Sequence, residues 1–174
     1  DAGVIVVSGK SGLTVGAKQS YQKLKDAGKS AAFFIGKLDS THAHFYRVLS
    51  SLVANYGAVI CPIIVPFVEN DAVSCYINLI ENKAYAYNGI TATEKRMRNM
   101  LLEAIASADE ELMEKYFAGE EFTAEEIIKG LTAGVKSGDI CPVFCGIQQT
   151  GDAVPMFVDI ISQIMPTADN FAGD

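Results

Sequence analysis

Ala31-Ala-Phe-Phe-Ile-Gly-Lys-Leu-Asp39 is an apolar run that stops at a glycine and turns into a charged loop. An apolar run of this length without polar alternation reads as a strand buried on both faces, the kind found in parallel sheets covered by helices. Upstream, Gly3-Val-Ile-Val-Val-Ser8 is a second such strand, broken at 9–12. Between them, 13–27 reads as a helix, with Val15, Tyr21 and Leu24 near helical spacing and Gly28 as its stop. Downstream, Ser40 or Thr41 can cap a helix that carries Phe45, Val48, Leu49, Leu52 and Val53 and ends at Gly57. Strand, helix, strand, helix with short turns is the signature of a doubly wound parallel sheet.

After Gly57 the pattern changes. Residues 59–65, 72–80 and 84–87 read as three strands joined only by turns, Glu69-Asn-Asp71 and Glu81-Asn82. That is an antiparallel meander. Three helices follow. The first spans about 93–106. The second starts at the capping box Ser107-Ala-Asp-Glu110, with Leu112, Tyr116 and Phe117 behind it. The third starts at Thr123-Ala-Glu-Glu126, with Ile127, Ile128, Leu131 and Val135 on its face. Ile140-Cys-Pro-Val-Phe-Cys145 is again a buried strand, and a closing helix spans 154–164, stopped by Pro166. The simplest reading is an α/β domain interrupted by an insert over about 59–139.

Composition narrows the function classes. The 174 residues hold 14 Lys+Arg against 21 Asp+Glu, a net charge of −7, which opposes binding of a nucleic acid backbone by bulk electrostatics. Residues 109–126 hold eight acids against the single base Lys115, so the excess sits in two helix starts and the rest of the chain balances. The longest apolar runs are far below membrane-spanning length, and no basic segment precedes an apolar run as in a signal peptide. The chain enters an apolar run directly after Asp1, which reads as part of something longer. Cys61, Cys75, Cys141 and Cys145 lie in strand-like segments, without the close pairing or nearby histidines of a zinc site; they read as buried thiols of a cytoplasmic protein. His42 and His44 read as two diverging positions on one helix, neither a ligand pair nor part of a nucleophilic triad.

Two segments fall on the ligand-binding edge of such a sheet, at the C-terminal ends of strands. Gly36-Lys-Leu-Asp39 offers a carboxylate that can accept from the N1–H and 2-amino group of guanine, and a lysine stem that can cover a base plane. Cys145-Gly-Ile-Gln148 ends the last strand. A third, Gly9-Lys10-Ser11, lacks the glycine spacing of a phosphate loop and reads as a strand-to-helix turn.

The order of segments resembles the GTP-binding domain of elongation factor G, the ribosomal translocase. The resemblance runs through 2–7 with Gly12-Leu13, Ala32-Phe-Phe-Ile-Gly-Lys-Leu-Asp39, Phe45-Tyr-Arg-Val48 and Pro62-Ile-Ile-Val-Pro66. It continues in Tyr76-Ile-Asn-Leu-Ile80 with Lys83-Ala-Tyr85, in Asp109-Glu-Glu-Leu-Met-Glu-Lys-Tyr-Phe117 with Gly119-Glu-Glu-Phe-Thr123, and in Pro142-Val-Phe-Cys-Gly146 with 154–166. It implies a partial Ras-like parallel sheet of the P-loop NTPase type with an inserted α+β subdomain. On that reading 1–58 and 140–166 are the C-terminal half of the GTPase core, 59–139 the insert, and 167–174 a linker.

The resemblance also implies a site. Gly36, Lys37 and Asp39 match the guanine motif Asn-Lys-x-Asp, with Gly36 at the Asn position. Gly146, Ile147 and Gln148 match a final loop that reads Gly-Ser-Ala in the family. Both departures are expected to loosen the base pocket, so GTP or GDP binding should be weak or absent. In such proteins the phosphate loop, both switch regions and the magnesium ligands precede the segment matched here. The chain alone is therefore expected not to hydrolyse GTP. The parent would meet the ribosome, through the stalk protein at the insert and ribosomal RNA near the core. Lys95, Arg96 and Arg98 on the first insert helix weigh against a stalk contact that needs acids there. An exposed sheet edge invites dimerisation. The alternative is a non-catalytic protein-interaction module derived from such a GTPase.

Overall fold

The computed structural model describes residues 2–40, 42–69, 72–81, 83–84 and 92–166. Four strands form a parallel sheet: β1 (Ala2–Ser8), β2 (Ser30–Gly36), β3 (Ile60–Pro62) and β7 (Cys141–Cys145), in the order β1-β2-β7-β3. The register sets Ile5 beside Phe33 and Phe33 beside Val143, so alternate residues of neighbouring strands share a face. On one face Phe33 stacks on Tyr21 of helix α1 (Val15–Asp26) and on Tyr56 of helix α2 (Phe45–Tyr56), with ring centroids 5.6 and 5.9 Å away. On the other, Phe34 and Phe144 each meet Phe157 of helix α6 (Val154–Ile164) edge-on at 5.0 Å. Helices on both faces account for the apolar runs of β2 and β7, whereas β1, expected to be buried on both faces, is covered on one only and leaves Val4 and Val6 exposed on the other.

The segment 59–65 is not the single strand its composition suggests. β3 stops at Pro62, and β4 (Ile64–Glu69) belongs to a separate antiparallel sheet with β5 (Ala72–Asn78) and β6 (Lys83–Ala84). Ile63 is the joint. Its N–H donates to the Val143 carbonyl in the parallel sheet at 2.8 Å, and its own carbonyl accepts from Leu79 N–H at 3.0 Å. One residue therefore serves both sheets, and every side chain around it is buried, so no polar residue marks the switch. Ile60–Pro62 consequently joins the parallel sheet, which has four strands where the periodicity suggests three. Residues 85–87 of the expected third meander strand, the turn residues Asn70, Asp71 and Asn82, and the expected linker 167–174 lie outside the described residues.

Helices α3 (Ala92–Ala108), α4 (Glu110–Phe117) and α5 (Ala124–Ser137) follow the meander. The capping box expected at Ser107 does not form. Ser107 lies inside α3 and donates to the Glu103 carbonyl at 2.8 Å, while the Asp109 carboxylate caps α4 by accepting from Glu111 and Leu112 N–H. The Asp109 oxygen satisfies two orphan N–H groups of α4, while the Ser107 hydroxyl is held by a carbonyl of its own helix. The box at Thr123 is complete, with Glu126 reaching back to the Thr123 N–H. Helix α2 begins only at Phe45, with His44 as an N-cap that makes no side-chain bond. Ser40 is not its cap, Thr41 lies outside the described residues, and His42 and His44 precede the helix rather than ride on it.

Candidate functional site

The C-terminal ends of β1, β2 and β7 are laced together by backbone hydrogen bonds. Gly9 N–H donates to the Gly36 carbonyl at 2.8 Å, Gly146 N–H to the Ile35 carbonyl at 3.3 Å, and His44 N–H to the Gly9 carbonyl at 3.0 Å. After Gly36, Lys37 takes a left-handed conformation with φ 57. Leu38 then turns into the core while Lys37 and Asp39 stay exposed on either side of it. The buried leucine anchors the turn and leaves its two charged neighbours on the ligand edge.

The second loop closes on itself. Ile147 N–H donates to the Asp152 carbonyl at 3.1 Å, and Gly151 N–H returns to the Ile147 carbonyl at 2.9 Å. Gly146 has no room for a side chain, since a Cβ there would stand 2.6 Å from the Asp152 carbonyl oxygen and 3.0 Å from the Phe34 ring. From this loop the Gln148 side chain crosses to the first turn, where its Oε1 accepts from Lys37 N–H at 3.2 Å. Gly36, Lys37 and Gln148 thus meet directly, with Gly146 one strand end away. Asp39 and Ile147 line the same open groove of about 910 Å³.

That groove also holds residues to which the sequence pattern assigns no part in the site. His44, Tyr46 and Arg47 line it from the start of α2, and Pro66 and Val73 from the antiparallel sheet. Tyr46 donates to the Pro66 carbonyl at 2.9 Å, and Arg47 to the Lys10 carbonyl at 3.2 Å. Tyr76 of β5 pairs with Pro66 of β4. Its hydroxyl is buried with no hydrogen-bond partner among the described residues. Burial pushes its ionisation well up, with Cys145, Asp152 and Asp39 adding to the shift. Only side-chain contacts that the tertiary structure makes could have revealed these residues.

Elsewhere the chemistry is structural. At Gly9-Lys10-Ser11 the Ser8 Oγ accepts from both Lys10 and Ser11 N–H, so the amides that would hold a phosphate are used by a turn. Among the described residues no group of three His, Cys, Asp or Glu could hold a metal ion, and no helix is long and apolar enough to cross a membrane. Cys61, Cys141 and Cys145 are buried thiols. Burial pushes all three up, Cys141 to about 12. Arg98 of α3 donates to the carbonyls of Leu79 and Ile80, and burial lowers its pKa. It braces the meander and is not a free surface charge.

No family model matches the chain. It is similar to an elongation factor G-like protein of Thermotoga maritima, at 27% identity over 168 residues, covering 92% of this chain and 25% of that protein. In three dimensions it superposes on a solved crystal structure from Thermus thermophilus with a TM-score of 0.85 and 29% identity, covering 100% of this chain and 28% of the other. The chain spans about a quarter of the length of these relatives. The elongation factor G resemblance therefore holds along the chain in sequence and in fold.

Proposed function

We propose that this chain, a relative of elongation factor G-like proteins, is the guanine-base-recognising half of a translocase-type translational GTPase domain. Residues 1–58 and 140–166 would be the core half and the intervening stretch its insert. The observation that carries the reading is the meeting of two loops distant in sequence. Gly36-Lys-Leu-Asp39 and Gly146-Ile147-Gln148 reach one sheet edge and touch through Lys37 N–H and Gln148 Oε1. Ligands bind at that edge of α/β sheets. The exposed Asp39 carboxylate would accept from the guanine N1–H and 2-amino group, and the Lys37 stem would cover the ring.

The 174 residues contain no phosphate loop and no Asp-x-x-Gly element, so nothing in them gathers the phosphates, holds magnesium or orients the attacking water. On this reading GTP or GDP is the ligand of the parent protein, in the cytoplasm, and the chain alone does not turn GTP over. The ribosome would be the partner: ribosomal RNA near the core half, which holds seven Lys+Arg against five Asp+Glu, and the stalk protein at the insert helices. Since Arg98 is committed to Leu79 and Ile80, only Lys95 and Arg96 on α3 remain to disfavour a basic partner there.

Calorimetry of the chain with GDP is expected to show binding weaker than about 1 µM. With millimolar GDP, NMR shift changes are expected at Lys37, Asp39 and Gln148 and to vanish in Asp39→Ala. Asp39→Asn should shift preference towards xanthosine diphosphate, whose C2 oxygen accepts where the 2-amino group of guanine donates. Equal responses to GDP and ADP would overturn the base reading and leave the interaction module, to which the closed contact between Gln148 and Gly36 lends support.

A further inference from the structure

We propose that Gln148 is a positioning residue of the base-recognition turn, its carboxamide occupying the place of a side chain at position 36 and holding the Lys37 amide. The contact itself does not depend on the ligand; its importance for guanine rests on the reading above.

Gly36 is the last residue of β2, and its φ lies outside the left-handed region, so backbone conformation does not require glycine there. Space does. A Cβ at position 36 would stand 1.9 Å from Gln148 Nε2, 2.7 Å from its Cδ and 2.8 Å from its Oε1. The three nearest neighbours are all atoms of one carboxamide. The orientation of that group follows from its partner: Lys37 N–H is a donor, so the oxygen faces it and Nε2 lies over the Gly36 Cα.

The bond also falls where the turn needs it. Lys37 is a non-glycine residue at φ 57, and a turn held in that conformation gains from a partner for its amide. That partner comes from the other loop, so the Gln148 carboxamide couples the two halves of the site across the sheet edge. A side chain at 36 and the glutamine at 148 exclude each other. The glycine at 36 and the long amide at 148 are thus one compensated exchange, not two separate losses. This reverses the expectation that Gly36 loosens the turn.

The experiment compares the chain with its Gln148→Ala, Gln148→Glu, Gly36→Ala and Gly36→Asn variants, and with the double variant Gly36→Asn/Gln148→Ala. Without ligand, solvent exchange of the Lys37 amide, read by NMR, is expected to speed up roughly fivefold in Gln148→Ala and Gly36→Ala, the factor one net hydrogen bond is worth. Gln148→Glu keeps an acceptor and should keep the protection. Equal Lys37 exchange in the chain and in Gln148→Ala would overturn the proposal. With GDP, Gly36→Asn alone should weaken the response and the double variant should restore it. A Gly36→Asn variant that behaves as the unmodified chain would overturn mutual exclusion. If the ligand-free results hold and no variant responds to GDP, the guanine reading fails and the Gln148 assignment stands.

Discussion

Two glycines of the site show how neighbours, not the residue, decide what a substitution costs. At Gly36 the obstructing atoms belong to the far end of a flexible side chain, which can swing into solvent. At Gly146 the nearest obstruction is the Asp152 backbone carbonyl, 2.6 Å from a Cβ, and that carbonyl accepts the Ile147 N–H that closes the loop. Gly146→Ala must therefore push backbone or lose that bond. The expected cost is about 1–3 kcal/mol, as for overpacking a filled site, measured as a lowered urea midpoint with an unchanged slope. Gly36→Ala should lower the midpoint less, by no more than the roughly 1 kcal/mol of the Lys37 hydrogen bond that it displaces. Equal losses at the two positions would mean that the Gln148 carboxamide is less free to move than its exposed position implies.

Among the elements, α5 carries the clearest pH dependence. Its Glu126 accepts from Lys115 Nζ at 2.7 and 2.9 Å and from the Thr123 N–H at 2.8 Å. The Lys115 hydrogen bond, then that of the Thr123 backbone, lowers its pKa from 4.5 to about 2. A carboxyl depressed on folding contributes stability that is fully present above its unfolded pKa and is lost as pH falls through the folded one. The contribution of Glu126 should therefore fade between about pH 4.5 and 2. Comparing acid unfolding of the chain with that of Glu126→Gln tests this: the variant should lack the part of the transition that falls in that window. Superimposable curves would remove the ion pair between α4 and α5 from the account. Thr123→Ala removes the other half of the box and is expected to cost about 1 kcal/mol at neutral pH.

At the scale of the whole molecule, the parallel sheet ends at an outer strand with a free side. β1 is the outer strand of the parallel sheet, and among the described residues no strand pairs with its free side. Its outward positions Val4 and Val6 are 41% and 64% exposed, while the alternate Ile5 and Val7 are buried under α1. A free strand edge beside an apolar stripe is a template for pairing. Light scattering of the chain is expected to show self-association that grows with concentration, and Val6→Lys should reduce it. A monomer at high concentration in both proteins would count against dimerisation through this edge.

The alternation of apolar runs with helical stretches was enough to define the parallel sheet, since strands covered on both faces leave no polar positions and few other folds produce that pattern. The Thr123 box and the 154–164 helix were legible for a related reason: a cap or an apolar stripe is a local pattern that packing then uses. The switch of sheets at Ile63 was not legible, because Ile60 to Val65 are all buried and periodicity is silent inside a run with no polar residue. Nor was the cap of α4, where Ser107 and Asp109 compete and only the end of α3 decides between them. In the site, the sequence determined the chemistry available at each loop: a lysine, a carboxylate, two glycines and an amide. Only the tertiary structure decided that the amide lies on the first glycine, because a contact over 111 positions of chain depends on how the strands are ordered, and no local spacing encodes that order.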